Sequence, residues 1–136
     1  MPCKIVLNSH NLTMKKLLLM LGLIAIAYPL EVSARDLVEV AESSRTGAKV
    51  YVWRDSIRKN RNIVWWREEM VLYGTDGRLE EHYIVDQSGD CVNIASRWQR
   101  FYDQISGEQD LKPRNLISYP PGSIGYDVLK YVCSQK

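Results

Sequence analysis

The feature that most narrows the fold is Ile63–Tyr73 (IVWWREEMVLY), an eleven-residue run dense in β-branched and aromatic side chains and closed by Gly74-Thr-Asp-Gly77. Such a run reads as a strand, and an Asp-Gly turn directly behind it predicts a hairpin into Arg78–Asp86. Its even positions Val64, Trp66, Met70 and Leu72 are apolar, with only Glu68 out of pattern. The odd positions are charged at Arg67 and Glu69 and apolar at Ile63, Trp65, Val71 and Tyr73. One face of this strand is therefore expected to be buried along its whole length and the other only in part.

Further strands follow from the same signals. Ala48–Asp55 (AKVYVWRD) precedes the run, separated from it by the polar connection Ser56–Asn62, and Asp36–Glu42 reads as an edge strand. In Arg78–Asp86 the residues Leu79, Tyr83 and Val85 mark the apolar face. Ser88-Gly89-Asp90 is expected to turn the chain into a long strand, Cys91–Gln104, where Val92, Ile94, Trp98 and Tyr102 share one parity, and Ile105–Glu108 reads as the next turn. Regular turns between short strands predict an antiparallel sheet of about six strands in meander order. After Tyr119-Pro-Pro-Gly122, whose prolines exclude a central strand, Ser123 can cap a helix over Ile124–Cys133. The class is α+β. A helix of about three turns cannot stand alone and must dock on the sheet.

The charge is confined to the front. Of 18 basic and 16 acidic residues, Lys4, Lys15, Lys16 and Glu31 lie in residues 1–34 and carry the whole net charge of +2, so the remainder is balanced. Lys15-Lys16, the apolar run Leu17–Leu30 and the small residues Val32-Ser33-Ala34 have the plan of a secretory signal peptide cut after Ala34. The run falls short of the roughly 20 residues of a bilayer span, so no membrane span is expected after leader removal. Met14 is the more natural start of translation, with residues 1–13 a spurious extension, and residues 35–136 form the single mature domain. The expected location is the bacterial periplasm or the cell exterior. No Cys follows the apolar core, so lipidation there has no acceptor.

Export leaves Cys91 and Cys133 as an even pair in an oxidising compartment, and a disulfide is the expectation. It would tie the helix to the sheet. Strict alternation, however, places Cys91 opposite Val92, Ile94 and Trp98, so either Cys91 lies at a strand end or bulge, or the helix covers the partly buried face.

Together with the leader, Lys49-Val-Tyr-Val-Trp53 leading into Asp55-Ser-Ile57, the Trp-rich strand, Asp90-Cys91, and the ending from Pro121-Gly-Ser-Ile124 to Tyr131-Val-Cys133 resemble the bacterial surface-adhesin protein E-like family. The resemblance covers nearly all of residues 35–136. It implies a bent antiparallel sheet of about six strands with a disulfide-attached C-terminal helix, and adhesion to extracellular host proteins.

Catalytic signals are sparse. His82, in Glu80-Glu-His82, is the only histidine beyond the leader and reads as a solvated surface residue; no His-Glu-x-x-His spacing and no Gly-x-Ser-x-Gly elbow is present. Glu68-Glu69 and Glu80-Glu81 would point to opposite faces of a strand. Without phosphate loops or Cys-x-x-Cys spacings, neither enzyme activity nor a metal or cofactor is expected. Binding signals are stronger. Arg54, Arg58, Lys59 and Arg61 cluster in the expected first hairpin loop with only Asp55 against them, and could receive a polyanion. The balanced charge beyond the leader argues against nucleic acid. Adjacent Trp65 and Trp66 must face opposite sides, one in the core and the other under the helix or in a contact patch for a partner protein or a homodimer. The leading expectation is an exported binding protein contacting an extracellular or envelope protein. The alternative is a periplasmic inhibitor of a cell-wall hydrolase, inserting a loop into the enzyme's cleft as a lysozyme inhibitor would.

Overall fold

A computed structural model describes residues 35–136, which form one compact unit; the leader assignment lies outside the described residues. The chain runs through β1 (Leu37–Glu42), β2 (Lys49–Trp53), a single 3₁₀ turn at Arg54–Ser56, β3 (Arg58–Asn60), β4 (Ile63–Tyr73), β5 (Leu79–Asp90), β6 (Ala95–Asp103), β7 (Gln109–Asp110), β8 (Ile117–Ser118) and α1 (Ile124–Ser134). All strand pairs are antiparallel, in the order β1-β2-β4-β5-β6-β7. β3 lies beside the start of β4 and β8 beside the start of β6.

The meander, the α+β class and the terminal helix agree with expectation, but eight strands replace about six. Two strand positions are interrupted: β2 and β3 share one side of β4, and β7 and β8 share one side of β6. The first interruption is the 3₁₀ turn. Ser56 Oγ donates to the Trp53 carbonyl (2.6 Å) and accepts from the Arg67 amide (2.8 Å), holding the turn against β4. The expected loop Ser56–Asn62 is therefore mostly structured. The hairpin narrows to Arg61-Asn62, with Arg61 in the left-handed region at φ 55°.

The turn placed at Ser88–Asp90 is also corrected. These residues close β5, and the chain reverses at Cys91–Ile94. Asp90 Oδ1 accepts from the Val92 (2.8 Å) and Asn93 (3.1 Å) amides, so its carboxylate nucleates the reversal one step later. Gly89 serves packing: a Cβ there would meet Leu129 Cδ1 at 2.6 Å and Trp66 at 3.1 Å, so the helix comes down on a bare stretch of strand. Cys91 is thus at a strand end, which resolves its parity. Val92 is 65% exposed, and the expected strand Cys91–Gln104 shrinks to Ala95–Asp103. An extra residue between the pairs Asp86–Arg100 and Gln87–Trp98 makes a bulge in β6 at Gln99, which broke the assumed parity.

The even side of β4 is the helix side. Val64 and Trp66 join Val50, Val52, Val128, Leu129 and Val132 in the buried core. Val85 is buried and Tyr83 half-buried as the β5 pattern predicts, whereas Leu79 at the strand's start is exposed. Ser123 Oγ accepts from the Tyr126 amide (3.3 Å), the expected N-cap. Cys91 and Cys133 are bonded, with Cα atoms 5.7 Å apart, pinning the last turn of α1 to the end of β5. No basic residue lies in that last turn. Instead Lys59 Nζ donates to the carbonyls of Cys133 (2.6 Å) and Gln135 (2.7 Å), capping the negative end of the helix from β3. No described helix is long and apolar enough to cross a membrane.

Candidate functional site

With the helix on one face, the other face of the sheet is open, and Trp65 stands in it. Because β4 alternates, Trp66 is 3% exposed in the core while Trp65 is 42% exposed, the split that adjacency requires. Trp66 Nε1 donates to Glu68 Oε2 (2.8 Å), so this tryptophan offers no contact surface. Arg58, Trp65, Ser88 and Arg97 are direct cross-strand partners over β3, β4, β5 and β6. With strands about 4.8 Å apart, the row spans about 14 Å. The next row is Arg67, Asp86 and Arg100.

Three shallow clefts meet at Trp65. One of about 370 Å³ is lined by Trp53, Arg67, Asp86, Gln99 and Arg100. A second of about 460 Å³ is lined by Asn60, Arg61, Ile63 and Asp90, and a third of about 380 Å³ by Ser88, Arg97, Gln99 and Leu116. The indole is thus a ridge between depressions.

The face has an ordered polar skeleton. Arg67 grips Asp86 with two parallel bonds (2.6 and 2.9 Å) and lies over the rings of Trp53 and Tyr102. The hydrogen bond to Asp86 holds the Arg67 guanidinium above its already high ordinary pKa, so the pair is a fixed, neutralised unit. Gln99 Nε2 donates to Ser88 Oγ (2.6 Å). Farther along, His82 Nε2 meets Glu69 Oε1 at 2.5 Å, and Trp53 Nε1 donates to Glu69 Oε2 (3.2 Å). His82 is half-buried and partnered, which corrects the solvated reading: β5 register carries it beside a carboxylate thirteen positions away in sequence. Glu68 and Glu69 do face opposite sides. No group of three His, Cys, Asp or Glu among the described residues is placed to hold a metal ion.

The basic cluster is dispersed. Arg54 pairs with Asp36 (2.9 Å) on β1's approach, and Lys59 turns to the helix side to cap α1. Arg58 stays on the open face, its Nη1 donating to the Asp55 and Ile57 carbonyls (both 2.8 Å), and Arg61 occupies the exposed hairpin tip. Among the described residues, neither of these nor Arg97 or Arg100 forms an ion pair. Arg97, Gln99 and Arg100 were missed because they are distant in sequence. Their only signal is antiparallel register, which a misplaced turn and an unseen bulge both shift.

No protein-family model matches the chain, and no curated protein matches it.

Proposed function

We propose that this chain is an exported, non-catalytic binding protein, resembling the surface-adhesin protein E-like family, whose contact surface is the open sheet face around Trp65. In this reading the leader delivers it to the periplasm or beyond, and it engages an extracellular or envelope protein. The observation that supports it best is the 42% exposed indole of Trp65, mounted on a central strand and flanked by arginines without carboxylate partners. Exposed aromatic and Arg side chains on a rigid support are the residue types that dominate contact energetics. A central strand holds them in place without loop ordering on binding. The disulfide-bonded protein, purified after export, is to be tested against extracellular-matrix and envelope proteins beside Trp65→Ala. Saturable capture at micromolar concentration that the substitution abolishes supports the reading; no partner, or capture indifferent to Trp65, overturns it.

The hairpin tip favours one alternative, inhibition of a cell-wall hydrolase. Arg61 is fixed at φ 55° on a tight turn, which presents a cation on a narrow projection, and glycoside hydrolases carry paired carboxylates in their clefts. A lytic assay with lysozyme decides it: inhibition lost in Arg61→Ala supports this function, and an unchanged lytic rate removes it.

A further inference from the structure

We infer that the Trp65 face takes a linear polysaccharide bearing sulfate or carboxylate groups. One sugar ring stacks on the indole, and anionic substituents are held by Arg58 on one side and by Arg97 and Arg100 on the other. This rests on reading the face as the contact surface, and it names the chemistry that the face recognises.

Charge is the first argument. Residues 35–136 are balanced overall, yet Arg58, Arg61, Arg97 and Arg100 surround Trp65 without an ion-pair partner among the described residues, while Asp86 is spent on Arg67. Asp55 and Asp90 also line these clefts outside any ion pair among the described residues, so four arginines stand against two carboxylates and the face is net positive. Guanidinium forks match sulfate and carboxylate oxygens in two-bond geometry.

Shape is the second. The clefts open on both sides of the Trp65 ridge, so a chain can pass across it, whereas a small molecule would find no enclosing walls. The row from Arg58 to Arg97, about 14 Å, is longer than one sugar ring and suits a short oligosaccharide segment. The indole face is electron-rich and attracts the weakly positive C–H face of a pyranose ring. Gln99, anchored on the buried Ser88 and adjacent in sequence to Arg100, supplies a neutral amide for sugar hydroxyls.

Those features favour a glycan over an acidic peptide. The backbones of β4 and β5 are paired on both sides here, so no extended peptide can add as a strand. The clefts are lined by Ile63 and Leu116 as well as by Gln99 and the arginines, so it is the lack of an open strand edge that separates a glycan from a peptide.

The test uses the exported, disulfide-bonded protein, titrated with heparin-derived oligosaccharides. Neutral maltohexaose, poly-glutamate and oligo-thymidylate, the charged probes matched in charge, are run beside them. Expected are saturable micromolar binding of the sulfated oligosaccharide, a change in tryptophan fluorescence and weakening with salt. Trp65→Ala should weaken binding at least tenfold. The double substitution Arg97→Gln, Arg100→Gln should do the same with a shallower salt dependence, which keeps the test open if Trp65→Ala fails to fold. Arg45→Gln, at the opposite end of the strands, should change nothing. No oligosaccharide binding, binding indifferent to both variants, equal affinity for poly-glutamate or oligo-thymidylate, or a homodimer that buries Trp65 overturns the inference. If oligosaccharides fail while Trp65→Ala still abolishes protein capture, only this inference falls; if Trp65→Ala alters neither, the contact surface itself is wrong.

Discussion

Trp65 and Trp66 are the same residue type one peptide apart, and strand alternation alone sends one to the core and one to the surface. Arg61 is the opposite case, a residue whose backbone conformation nothing in its side chain explains. The left-handed region costs an L-residue about 1–2 kcal/mol, so Arg61→Gly should stabilise the fold by about 0.5 kcal/mol after the greater freedom of glycine in the unfolded chain. A rightward shift of the urea midpoint would show it. Glu68 carries a pH dependence. Burial beside Trp66 and Gln87 holds its carboxyl above its ordinary pKa, partly offset by the hydrogen bonds those two side chains donate. The folded state therefore takes up this proton first as the pH falls. Stability from this group rises through the folded pKa and levels off below the unfolded value, the reverse of an ion-paired carboxylate. Urea midpoints between neutral pH and about pH 4.5 should move in favour of the wild type relative to Glu68→Gln; parallel curves would exclude it.

At the scale of elements, the helix shows how local and tertiary terms divide. Its N-cap at Ser123 and its apolar side, centred on Val128, Leu129 and Val132, are readable from the sequence, because capping and periodicity act within a few residues. Its C-terminal cap is not, because Lys59 reaches it from β3, 74 positions away from Cys133. Lys59→Met should cost about 0.5 kcal/mol and less in high salt, measurable as a midpoint difference at two ionic strengths. The disulfide is the larger restraint. Bridging 42 positions, it should contribute about 3–4 kcal/mol by restricting the unfolded chain. The pair Cys91→Ser, Cys133→Ser should lose that much, and calorimetry would detect it; a loss under about 1 kcal/mol would mean that packing against Gly89 holds the helix by itself.

Across residues 35–136, a balanced net charge hides a polarity along the strands. Glu80, Glu81, Asp103 and Glu108 gather where the β4–β5 and β6–β7 hairpins turn, and Arg58, Arg61 and Arg97 gather at the other end of the same strands. Antiparallel pairing creates this by setting Arg58 and Arg97 in one row. If the leader is cut after Ala34, intact-mass analysis of the exported protein should give a chain of residues 35–136 less two hydrogens. A membrane-bound product retaining Leu17–Leu30 would contradict cleavage.

By itself the sequence determined the strand class, the β4–β5 hairpin, the edge strand, the capped helix and the cysteine pair. Each rests on signals that act over a few residues, or, for the cysteines, on counting. Only the tertiary structure decided where the chain reverses between β5 and β6, since Ser88-Gly89 looks like a turn until the helix is seen to need a strand without side-chain bulk there. It alone also separated the four basic residues that lie together in sequence, sending Arg54 to Asp36 and Lys59 to the helix end, and assembled a new set around Trp65. Register and bulges carry that information, and they are fixed by packing between segments far apart in the chain.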